Sequence, residues 1–243
     1  MICKLCRKPC ELQKSHIIPE FLYDAMYDEK HRYNVLSVRP DQQNRIEQKG
    51  ARELLLCWDC EQLFSGYERY GSLIVKGGAS GVTSIRKDQI LFLKGIDYKK
   101  FKLFQLSILW RAGASNLQFF ERVQLGPHLE QIGAMLLAND PGPFNLYPVL
   151  MWGITLEPGK PPGLIIQPGQ HRALGYITYQ FVFGGLVWVF FVSSSKLTAP
   201  YSQFVLQPDG SAIMQIKSAI DLPSLNNFMQ EFDRLGRTPR LKA

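Results

Sequence analysis

The chain has 243 residues, 46% of them hydrophobic and 12% aromatic, with a formal net charge of +7 and a pI near 9.1. That apolar content supports a real core and excludes a disordered chain. No apolar run reaches the ~18 residues that a membrane span requires, and the basic excess suits a polyanionic partner, most simply nucleic acid.

The chain opens on "MICKLCRKPC", with cysteines where a secretory signal would carry apolar residues. A reduced, cytoplasmic compartment is therefore expected, in which paired cysteines favour metal over disulfides. Cys3 and Cys6 form one Cys-x-x-Cys pair, and Cys57 and Cys60 form a second. Each such turn places two thiolates on one side of a tight loop, and two turns brought together make a closed tetrahedral zinc site. Two disulfides or two buried cysteine pairs are the alternative, and the paired spacing favours zinc. Cys10 is left over.

The 50 residues between the pairs exceed what a compact zinc ribbon needs, so something is inserted inside the metal-closed loop. The insertion holds His16, in "KSHIIPE", and a polar stretch, "VRPDQQNRIEQKGARE", that reads as a loop or short hairpin. Leu63, Phe64, Tyr67 and Tyr70 then recur at helical spacing, which predicts a helix beginning at or just after Cys60. "KGGASG" at 76–81 reads as a flexible boundary, giving a first domain over 1–78 and a second over 82–243.

In the second region "DYKKFKLFQLSILWRA" is apolar nearly all round and reads as a buried helix, with Lys99, Lys100 and Lys102 at its solvated end. "GPHLEQIGAMLLAND" is a second helix, with Pro127 near its first turn. Short β-branched and aromatic segments follow: "YPVLMWGITLE", "GLIIQP", "ALGYITYQFVF", "LVWVFFVSS" and "SQFVLQP". Gly184-Gly185 between two of them signals a hairpin. An amphipathic helix over 224–237, with Ser224 as its N-cap, and a basic tail close the chain. The expected class is α+β with an antiparallel sheet.

Cys-x-x-Cys, then Ser15-His16-Ile17-Ile18-Pro19, then Leu-Leu-Cys-x-x-Cys at a helix start resembles the HNH nucleases, in their zinc-stabilised ββα-metal form. The resemblance covers about the first 70 residues. It implies an N-terminal ββα-metal domain whose first strand carries a histidine near its end. It also implies a structural zinc on Cys3, Cys6, Cys57 and Cys60, separate from a catalytic Mg²⁺ or Mn²⁺. By the family pattern His16 matches the general base and Glu61 matches the helix-borne ligand of the catalytic ion. The implied activity is metal-dependent hydrolysis of DNA phosphodiester bonds, in a setting such as bacterial defence or mobile elements.

Two positions depart from the family. Ser15 stands where Asp or His usually supplies the other ligand. Arg52 and Glu53 lie where an Asn often orients the base. His31, Glu68 and Asp24 are the remaining candidates for completing the ligand set. Two readings follow: an active endonuclease whose second region recognises its target, a protein partner or a second copy, and a zinc-stabilised module that binds nucleic acid or protein without catalysis. Glu61 as a carboxylate serving only the helix dipole, and His16 as a structural histidine, belong to the second.

Overall fold

The computed structural model describes residues 1–35, 45–155 and 165–218, together with Gln230 and Arg234. Most of the expected closing helix and basic tail lies outside these residues. The first region contains four short strands, β1 (Gln13–His16), β2 (Arg32–Val35), β3 (Arg45–Gln48) and β4 (Arg52–Leu56), followed by helix α1 (Trp58–Val75). β1 pairs antiparallel with β4, and β2 with β3. The polar stretch 38–53 supplies β3 and the start of β4, and β3 pairs with β2, which precedes that stretch. Residues 36–44, between β2 and β3 in the chain, lie outside the described residues.

Helix α1 starts earlier than its apolar spacing predicts. Cys57 is the N-cap residue, Trp58 opens the helix, and Cys60 falls in the first turn. Phe64, Tyr67 and Gly71 form its buried stripe. Gly71 is required there, because a Cβ would come within 2.5 Å of the Phe104 ring on the next helix.

That helix, α2 (Tyr98–Ala114), is buried along nearly its whole length, and α3 (His128–Leu137) packs beside it. Lys102 corrects the reading of a solvated helix end. Its ammonium is buried and donates to the carbonyls of Pro143 (2.5 Å) and Leu146 (2.8 Å) and to the Tyr98 hydroxyl (3.3 Å). Three acceptors for three N–H groups make such burial tolerable.

The remaining strands are β5 (Thr83–Lys87), β6 (Ile90–Lys94), β7 (Val149–Thr155), β8 (Ile166–Ala173), β9 (Tyr176–Phe183), β10 (Leu186–Val192) and β11 (Ala212–Ser218). They make one seven-stranded sheet in the order β5-β6-β11-β7-β10-β9-β8. The α+β class holds, and the sheet is antiparallel except where β11 runs parallel to β7. The β9–β10 hairpin turns at Gly184-Gly185, both at positive φ, as the dipeptide predicts. "SQFVLQP" is not a strand: Tyr201–Phe204 is a 3-10 turn, and Val205 and Leu206 are buried beneath it.

α2 covers one sheet face, where Phe101 and Phe104 meet Trp188 at 6.2 and 6.3 Å between ring centroids. The other face is closed by Leu197 and Val205 over Ile154, Val187 and Phe191. One continuous hydrophobic cluster runs from Cys3 and Leu5 through Phe64 and Leu106 to Trp188 and Phe190.

Candidate metal centre and active site

The four predicted cysteines meet in space. All four Sγ atoms lie within 4.8 Å of one another, and Cys6 and Cys57 are 3.7 Å apart. A tetrahedral zinc with ~2.3 Å bonds sets its sulfurs about 3.8 Å apart, so the donor set and spacing fit that ion. None of the five cysteines is in a disulfide, and Cys10 stays outside the group. The knuckle is seated by backbone contacts. The Lys4 amide donates to the Leu55 carbonyl at 3.0 Å, and the Cys57 amide donates to Cys3 Sγ at 3.3 Å. Burial raises the Cys3 thiol, yet hydrogen bonds from backbone amides outweigh it and bring the group down to about 7. Burial pushes Cys6 and Cys60 up. A dication relieves the repulsion among four thiolates held this closely.

The strand β1 rises from this centre to His16. Alternation along a strand sends neighbouring side chains to opposite faces. Ser15 accordingly turns inward, fully buried, and its hydroxyl donates to Glu61 Oε1 in the first turn of α1. His16 turns outward and keeps 22% of its side chain exposed, beside Arg52 on the paired strand. Positions 15 and 61 thus share one small site, with His16 next to it in the chain.

A backbone group orients the imidazole. His16 Nε2 donates to the Lys49 carbonyl at 2.9 Å, which leaves Nδ1 as the acceptor nitrogen. Lys49 and Gly50 are both left-handed, at φ 64° and 63°, and this tight turn aims the carbonyl. Burial is the strongest influence on the His16 pKa and lowers it from the usual 6.5. The Lys49 carbonyl and Glu20 pull upward, and Arg52 adds to the lowering. The imidazole is therefore neutral at neutral pH.

Arg111 fixes the main chain at the same point. Its side chain is 1% exposed, and Nη1 donates to the His16 carbonyl at 2.7 Å and to Glu68 Oε1 at 2.5 Å. The guanidinium also lies over the Phe64 ring. Glu68 is thus engaged with Arg111 and does not complete a ligand set with Glu61. Asp24 pairs with Lys76 at 2.7 Å, and His31 stacks on Tyr27. Glu53 accepts from Ser115 and Asn116 and anchors the end of α2. Among the described residues the four cysteines are the one cluster of three or more metal-ligating groups.

Neither Lys49-Gly50 nor Arg111 belongs to the motif that marks the cysteines, His16 and Glu61 in the sequence. A glycine immediately before β4 is a weak signal for the first. A lone arginine inside an otherwise apolar helix is a stronger one for the second, since arginine is almost never buried unpaired. The described residues contain no helix long and apolar enough to cross a membrane. Compared with known proteins, the chain matches no family model, no curated protein and no solved structure.

Proposed function

We propose that the chain is an HNH-type, ββα-metal endonuclease that hydrolyses DNA phosphodiester bonds, with His16 as general base and zinc on the four cysteines as a structural ion. The observation that carries this reading is the arrangement around β1. A neutral histidine, oriented through Nε2, ends a strand whose preceding residue touches Glu61 at the start of α1. Nδ1 is then free to take a proton from water as it attacks phosphorus. Arg52, paired with His16 across β1 and β4, would offer a cation to the phosphate.

A bound Mg²⁺ or Mn²⁺ would neutralise charge on the phosphate and the leaving oxygen. Glu61 would hold it. Magnesium is commonly held by one or two carboxylates together with waters and substrate phosphates. One carboxylate and one hydroxyl therefore fit at the lower limit of that range.

A specific observation favours a second reading. The Ser15 hydroxyl is donated to Glu61 where the family pattern would supply a second ligand. On this reading the same scaffold binds nucleic acid without cutting it.

Gel cleavage of plasmid and linear DNA with Mg²⁺ or Mn²⁺, against an EDTA control, separates the two. The nuclease reading expects metal-dependent cutting that falls by ~10²–10⁴ in His16→Ala. It also expects Ser15→Asp, which restores a second carboxylate, to cut at least as well as wild type. Wild type and His16→Ala that are equally inert while both bind DNA establish the scaffold reading. Cutting that survives in His16→Ala places the active site elsewhere.

A further inference from the structure

The two edges of the seven-stranded sheet are built differently. β8 carries Pro168 and an irregular register between Ile166 and Gly169. Proline and bulges are the usual devices that stop an edge from pairing with another chain. β5 has neither. Its register against β6 is regular from Thr83↔Lys94 to Lys87↔Ile90, and all five of its residues are exposed. An edge strand that is regular, uncovered and free of proline is a template for another strand in any register that keeps its charged residues, here Arg86 and Lys87, away from like charges.

We propose that β5 is the dimerisation strand of this protein, pairing antiparallel with β5 of a second copy about a two-fold axis at Ile85. The register follows from the hairpin. Lys87 and Ile90 flank a two-residue turn, Asp88-Gln89, and such turns close on a hydrogen-bonded pair. Lys87, Ile85 and Thr83 therefore direct their amide groups toward β6, and Ser84 and Arg86 direct theirs outward. An antiparallel neighbour must bond through Ser84 and Arg86. With the axis at Ile85, Ser84 of each copy exchanges bonds with Arg86 of the other, about four in all.

The side chains agree with that register, whereas an axis at Ser84 would set Ile85 opposite Thr83 and lose the apolar contact between copies. Arg86 meets Ser84, Lys87 meets Thr83, and no two cations stand directly opposite. An axis at Arg86 would set guanidinium against guanidinium, and like charges in that position destabilise. The one apolar residue of β5, Ile85, is 58% exposed in the monomer and would meet its own copy. Behind it on the same face stand Phe92 of β6 and Ile213 of β11, both only half-buried. Pairing joins two such stripes across the axis, and removal of this apolar surface from water drives the association.

The test reads both the assembly and its register. Ile85 sits at a non-hydrogen-bonded pair, where Cα atoms approach to ~4.5 Å, within the range a disulfide spans. Ile85→Cys should give a disulfide-linked dimer under mild oxidation. Ser84→Cys should give much less, because its copy lies diagonally across the axis. Mixing Ser84→Cys with Arg86→Cys should restore the cross-link. In sedimentation the wild type should self-associate and Ile85→Lys should be monomeric, with zinc content and circular dichroism unchanged in both. Wild type that stays monomeric to its solubility limit, with no cross-link through Ile85→Cys, overturns the proposal. So does a dimer that Ile85→Lys leaves intact. If the wild type is monomeric and Arg86→Ser with Lys87→Thr weakens oligonucleotide binding, the hairpin is a nucleic-acid surface instead.

Discussion

The Lys49 carbonyl reaches His16 because two consecutive residues hold a left-handed backbone, and only one of them is glycine. Gly50 has a second constraint. A Cβ there would lie 2.8 Å from the Tyr23 ring, whose hydroxyl in turn accepts from the Ala51 amide. Gly50→Ala therefore meets both φ strain and a ring that cannot easily move, and should cost about 1–3 kcal/mol. If His16 is the base, as proposed, the effect on cleavage should exceed that on DNA binding, since the displaced carbonyl orients the imidazole. Denaturant unfolding together with cleavage rates would check this; unchanged cleavage in a folded variant would mean that the carbonyl is dispensable. The contrast between cysteines and histidine partner explains what the letters could reveal. Cysteine pairs announce themselves by local spacing, and all four predicted ligands meet. A backbone carbonyl has no letter of its own. Arg111, 95 residues from His16 in the chain, is brought to it only by the packing of α1 on α2.

Elements with strong periodicity were legible: α2, α3 and the β9–β10 hairpin fall where apolar spacing and turn residues put them, and α1 does so from Cys60 onward. β5, β6 and β11 were not. Thr83–Lys87 is exposed throughout and polar except for Ile85, so no alternation marks it, and β11 joins the sheet between strands remote in sequence. "SQFVLQP" misled because Val205 packs over the sheet and Leu206 joins the main cluster without either lying in a strand. Lys102 also belongs at this scale, since it ties α2 to the 143–146 loop. Burial lowers its ammonium from 10.5 to about 7. Between those values the unfolded chain holds the extra proton, so this group's contribution to stability grows as pH rises from about 7 toward 10.5 and is constant below 7. The slope is at most about 1.4 kcal/mol per pH unit. Urea unfolding at about pH 7 and pH 9 should move in favour of the wild type relative to Lys102→Met. Equal shifts in both proteins would show that Lys102 keeps its proton across that range.

At the scale of the molecule, the cysteine centre and the large sheet share one hydrophobic cluster. The Gly184 turn sits against Leu22, and Arg111 reaches from α2 to His16. A ligand that binds only the folded state stabilises everything folded with it. Calorimetry should therefore show one unfolding transition, which moves down as a whole when a chelator removes zinc. Cys57→Ser, with metal content measured alongside, should lower it too. Two transitions, with the upper one indifferent to chelator, would separate the zinc end from the sheet. The shared core also bears on how long the protein lasts in a cell. Where zinc runs short, what a protease meets is not a frayed knuckle on an intact body but a chain loosened from end to end. With zinc held by the four cysteines, metal supply would then set the protein's abundance before it set anything at His16.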